Sequence, residues 1–237
     1  MNEKLTEIVI ILDRSASMLS LTDGIIESYN SFMKEQKNIP GEAVLTTVLF
    51  NDSIKLLHDR VNIKEIKPIT NKDYSAQGKR ALLNALGKCI NDIGFKLYNT
   101  PEHDRPYKII IFIITNGEDN ASREYSQEKV KSMVELQKQT YGWEFIFFGA
   151  NIDSAAAASS IGIPKNMAFD IAADEEGFFC AHEAMGAALS NLRRYESVTA
   201  KEGEDFRKKI KKPKKVSEKA ALNIKTKKLS DIIKRKK

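Results

Sequence analysis

The run "EIVIILDRSASM", Glu7–Met18, passes from β-branched apolar residues to a carboxylate and two hydroxyls within a few positions. Its apolar half reads as a buried strand. Asp13, Ser15 and Ser17 then stand on alternate positions, and alternation in an extended turn aims three side chains the same way. Oxygen-bearing side chains converging at a strand end are what a hard cation requires of a loop. What surrounds this loop decides whether the requirement is met.

Similar apolar runs recur downstream. "AVLTTVLF" (43–50), "YKIIIFIIT" (107–115) and "WEFIFFGA" (143–150) read as strands, and the last two are almost continuously apolar, as expected for a parallel sheet covered on both faces. "SIKLLHDRV" (53–61) follows the turn signal "ND", so it is expected to fold back as an antiparallel edge, and "NMAFDI" (166–171) reads as a short last strand. Helical segments fill 22–38, 79–95, 126–141, 153–161 and 174–199, with Leu82, Leu83, Leu86 and Ile90 on one stripe of the second. Alternating elements predict an α/β fold: a doubly wound, mostly parallel six-stranded sheet with one antiparallel edge strand and helices on both faces. In such sheets ligands sit beyond the carboxyl ends of the strands. "DRSAS" and "NGEDNAS" (116–122) both fall on that edge.

The 237 residues divide by charge. Residues 1–200 carry 22 Lys/Arg and 27 Asp/Glu, a net of −5, whereas residues 201–237 carry 16 and 5, a net of +11. The expectation is one domain over 1–200 and a basic extension over 201–237, with "KKIKKPKK" (208–215) as linker and a short amphipathic helix over 217–236. The extension is either a solvated charge run or a binding arm. An arm would take nucleic acid through Lys208, Lys209, Lys211, Lys212, Lys214 and Lys215, or dock on an acidic partner. Phe206 is its sole aromatic residue, so nucleic-acid binding would be non-specific and sensitive to salt. Only Cys89 and Cys180 are present, and neither a signal layout nor an apolar run of about 18 residues occurs, which points to a cytoplasmic protein without a membrane span.

In their order, these motifs resemble the von Willebrand factor A domain, especially compact bacterial and phage-type versions. The resemblance spans about residues 5–200 and rests on "VIILDRSASM", "YSAQGKRALLNALG" (74–87), "IITNGEDNAS" (113–122), "FIFFGANIDS" (145–154) and "DEEG" (174–177). It implies a metal-ion-dependent adhesion site with ligands from three loops. Asp13, Ser15 and Ser17 match the first-loop ligands. Arg80 stands where the family has threonine, and Asn116 where it has aspartate. The local charge therefore falls from −2 to zero: Asp13 contributes −1, Asn116 nothing, Arg80 +1. Arginine has no acceptor atom and keeps its proton, so magnesium is disfavoured as a cofactor. Arg80 then either enters the cleft as a forked, bidentate partner of Asp13 or points into solvent. Glu118 and Asp119 keep residual metal binding open by adding charge at the rim.

Other candidates are weaker. His58, His103 and His182 are scattered and read as surface or capping residues, and Ser15 and Ser17 have no general base nearby. Ser126 reads as a helix N-cap, and Phe178, Phe179 and Met185 as core. The resemblance thus implies a non-enzymatic protein–protein interaction module. Its ligand face would lie on loops 13–22, 74–81 and 116–124, with Lys79 or Arg80 offering positive charge to an acidic side chain of the partner.

Overall fold

The computed structural model describes residues 1–192. The expected end of the last helix, the amphipathic helix over 217–236 and the lysines from Lys208 to Lys215 lie outside the described residues.

Six strands form one sheet: β1 (Asn2–Asp13), β2 (Glu42–Phe50), β3 (Ile54–Asn62), β4 (Pro106–Asn116), β5 (Glu144–Ala150) and β6 (Ala168–Ile171). Their order is β3-β2-β1-β4-β5-β6, parallel throughout except for β3, which pairs antiparallel with β2 at the edge. The β2–β3 turn is closed by Asn51, whose Oδ1 accepts from Ser53 N at 2.9 Å and Ser53 Oγ at 2.8 Å. That side-chain mimicry of a turn is why "ND" reverses the chain.

β1 and β4 are central and carry the longest buried runs. Ile8 to Asp13 and Ile110 to Thr115 are all fully buried. Helices cover both faces: α1 (Thr22–Gln36) lies beside α5 (Glu175–Leu192), and α2 (Leu82–Tyr98) beside α3 (Gln127–Tyr141), with α4 (Ser154–Ser160) next to α3. Leu82, Leu86 and Ile90 point α2 into the core. Ser126 caps α3 by accepting from Lys129 N at 3.2 Å, and Asp153 caps α4 through Ala156 N at 2.9 Å.

Three expectations need correction. The second helix begins at Leu82, not at residue 79, because the backbone of Arg80 is engaged outside the helix: its N–H donates to Asn120 Oδ1 at 2.8 Å and its carbonyl accepts from Asn120 N at 2.9 Å. Phe179 is 37% exposed and so is not core. His182 is buried between helices, its ring 6.4 Å from that of Tyr29 and 6.0 Å from that of Phe32. Burial pushes its imidazole down to about 4, against a smaller upward pull from its hydrogen bond to the Phe178 carbonyl. His58 is partly buried beside Tyr29 Oη at 3.3 Å, and His103 is exposed.

Strand order reverses between β1 and β4, and the loops after these two strands meet there. A doubly wound sheet leaves its crevice at that point, because flanking connections depart to opposite faces.

Candidate functional site: a cleft filled by Arg80

Asp13 ends β1 with a fully buried carboxylate. Oδ1 accepts from Ser15 N at 2.7 Å, which bends the chain off the strand. Oδ2 accepts from Arg80 Nε at 2.6 Å, Thr115 Oγ1 at 2.9 Å and Asn116 N at 3.2 Å. One oxygen therefore joins the ends of β1 and β4 to the segment that precedes α2. Burying an ion requires such saturation, since an unpaired carboxylate there costs several kcal/mol, on the order of 3–5.

Arg80 is 7% exposed. Its Nη2 donates to Ser17 Oγ at 2.5 Å, to Ser15 Oγ at 3.2 Å and to the Asn116 carbonyl, while Nη1 donates to the Glu118 carbonyl at 2.9 Å. The solvent-facing alternative is thereby excluded. The pairing with Asp13 is not the bidentate fork expected: a single Nε contact serves the carboxylate, and the outer nitrogens bind hydroxyls and carbonyls instead. Asp13 has one oxygen turned to its own loop, so the fork spreads across three loops.

Gly117 makes room for the guanidinium. Its φ of +123° suits glycine, and a Cβ there would stand 2.5 Å from Arg80 Nη1. Asn116 is held at both ends of its amide, Nδ2 donating to the Ser17 carbonyl at 3.2 Å and Oδ1 accepting from Asn151 Nδ2 at 2.7 Å. Tyr74 donates its hydroxyl to the Asp13 carbonyl at 2.8 Å. Its phenol is pushed up, first by burial and then by the Asp13 carboxylate.

The structure brings Asp13, Ser15, Ser17, Arg80 and Asn116 together; Lys79 is exposed and stays outside the cluster. Asp119 does not add charge to the cleft. Its carboxylate turns to α2, accepting from Leu83 N at 3.0 Å and Ser122 Oγ at 2.5 Å. Asn84 completes that clamp, its Oδ1 accepting from Arg123 N, Glu124 N and Tyr125 N at 3.0–3.2 Å. Sequence reasoning missed Thr115, Asn120, Asn84 and Asn151. For Asn120 and Asn151 the local signal was chemical, asparagine next to turn-forming residues, and Asn151 indeed adopts a φ of +55°; Thr115 at the end of β4 and Asn84 within α2 carried no such signal.

Comparison with solved structures agrees with the topology. The minor pilin PilB of Streptococcus sanguinis superposes with a TM-score of 0.57 at 11% identity, covering 84% of this chain and 64% of that one. Manganese-loaded TRAP protein of Plasmodium vivax gives 0.54 at 14%, covering 74% and 70%. Proximal thread matrix protein 1 of the mussel byssus, with a zinc-occupied MIDAS motif, gives 0.51 at 14%, covering 78% of this chain and 46% of that one, so the present chain spans under half of that protein's length. No protein-family model and no curated protein matches the sequence. The chain has the fold of a von Willebrand factor A domain.

Proposed function

We propose that the chain is a non-enzymatic protein-binding module whose ligand face is the loop surface over the Asp13–Arg80 pair, and that it works without a divalent ion. The observation that carries this reading is the position of the guanidinium, hydrogen-bonded at once to the side chains of Asp13, Ser15 and Ser17. A divalent ion there would need those same oxygens. It would also stand beside a fixed positive charge with one carboxylate to balance it, and dehydrating magnesium takes carboxylate charge and about six oxygens in octahedral array. The donor set does not fit a metal. Among the described residues no cluster of three or more His, Cys, Asp or Glu side chains offers an alternative.

With its charge spent inside the cleft, Arg80 is a poor receptor for a partner's carboxylate. That role passes to exposed Lys79. Leu19 lies in the first loop and is 66% exposed, an apolar contact of the kind that anchors an interface when polar neighbours ring it. Catalysis has no support in the cluster, where both hydroxyls face a guanidinium and not a base.

The test is affinity capture on the full chain, in chelator and in magnesium, with wild type and the Leu19→Asp and Lys79→Glu variants. Partners retained in chelator and lost with either loop variant support the reading. Capture that requires the metal, or that ignores both loop variants, overturns it.

A further inference from the structure

The described residues carry 20 basic and 26 acidic side chains, a net of −6. Helices α1 and α5 hold nearly all of that imbalance. They bear Asp23, Glu27 and Glu35, and Glu175, Glu176 and Glu183, against Lys34 alone, a net of −5. All six carboxylates are exposed, and among the described residues none lies in an ion pair.

The two helices run side by side in the same sense. Gly24 abuts Glu175, Tyr29 and Phe32 meet His182, and Gln36 lies against Gly186. Their outward carboxylates consequently share one surface. On α5, Glu176, half-exposed Phe179 and Glu183 follow at helical spacing, so an apolar ring lies between two charges. Nearby, the Cys180 thiol is pushed up by burial and then by Glu183, Glu176 and Asp174.

Beyond the described residues, and after the mixed-charge stretch 193–206, the sequence enters a segment of opposite sign. Arg207–Lys237 contains 15 basic and 2 acidic residues. Residues 193–206 span up to about 45 Å when extended, while α5, with 18 residues, is about 27 Å long. That length is enough for the basic segment to return to the acidic helix face of its own chain, and tethering through a flexible connection would set an effective concentration of about 1 mM there.

We propose that the outer face of the α1–α5 pair is the docking surface for this chain's own C-terminal segment, Arg207–Lys237. Lysines along the segment meet the carboxylate rows, and aliphatic stems cover Phe179. The contact is electrostatic and leaves the loop face on the sheet's carboxyl edge open.

A zero-length carbodiimide cross-linker, which joins a carboxylate to a lysine amine in direct contact, tests this on the full chain at equal amounts of light and ¹⁵N-labelled protein. The expected result is cross-links from Lys208–Lys215 to Glu176, Glu183 and Glu27 within one isotopic species. They should fall several-fold at about 1 M salt, where the screening length is about 3 Å. The Glu176→Gln, Glu183→Gln double variant should lose most of them, whereas Glu128→Gln with Glu135→Gln on α3 should change nothing. Cross-links spread evenly over other carboxylates, formed only between differently labelled chains, or unaffected by salt would overturn the proposal.

Discussion

Arg80 Nε and Asp13 Oδ2 stand 2.6 Å apart across 67 positions of sequence, and both side chains are more than nine-tenths buried. The pair ties the segment before α2 to the end of β1. Since Oδ2 also accepts from Thr115 and Asn116, removing the cation leaves a buried carboxylate with neutral donors only.

Replacing Arg80 by threonine should therefore destabilise the protein by about 3–5 kcal/mol, the cost of orphaning a buried charge. Urea denaturation of wild type and Arg80→Thr reads the difference directly. A change within about 0.5 kcal/mol, as for a surface substitution, would show that the pair contributes little.

The double variant Arg80→Thr, Asn116→Asp moves the local formal charge from zero to −2 and adds a hydroxyl and a carboxylate among Asp13, Ser15 and Ser17. It should gain a saturable rise in melting temperature with magnesium or manganese, because an ion that binds only the native state stabilises it. Wild type should show no such rise. Calorimetric titration of both proteins settles the comparison, and a metal response in wild type would contradict the charge argument.

Much of this was legible in the primary structure. The strands announce themselves as uninterrupted apolar runs because a parallel sheet is covered on both faces. The three-loop cluster follows from motif order at the sheet's carboxyl edge. What escaped detection had its cause at a distance. Asn120 engages both backbone groups of Arg80 from 40 positions away and so delays the start of α2, and no local periodicity encodes that. His182 reads as an ordinary polar residue in "FFCAHEAM", yet α5 is buried on most of its circumference, and position 182 falls on the buried side while Glu176 and Glu183 stay outside.

Because burial holds the folded-state pKa of His182 at about 4, below the unfolded value of about 6.5, the unfolded chain binds more protons between those limits. This contribution to stability is complete above the unfolded value and is lost as pH falls towards 4. The loss across the window is about 3 kcal/mol. Stability measured against pH for wild type and His182→Phe should diverge over that interval, the variant showing a shallower acid decline. Parallel curves would mean that the imidazole is not held neutral.

Gly117 and Gly142 provide a matched pair. Both have positive φ, +123° and +66°, but only Gly117 faces an obstacle, Arg80 Nη1, where a Cβ would lie; Gly142 has open space. Gly142→Ala should cost about 1 kcal/mol from the left-handed backbone alone. Gly117→Ala should cost about 2 kcal/mol more, since backbone strain adds to displacement of the guanidinium. Equal losses in thermal unfolding would show that Arg80 yields freely.

An ion held by loops is an exchangeable component: its occupancy follows its concentration outside, and a chelator or a competing metal empties or replaces it. A guanidinium built into the chain obeys no such equilibrium. It arrives with synthesis at full stoichiometry and leaves only when the fold opens. If the cleft works without an ion, as proposed, then Arg80 makes it insensitive to the ionic composition of its surroundings, and the loops around it would have one resting geometry in place of a loaded and an empty one.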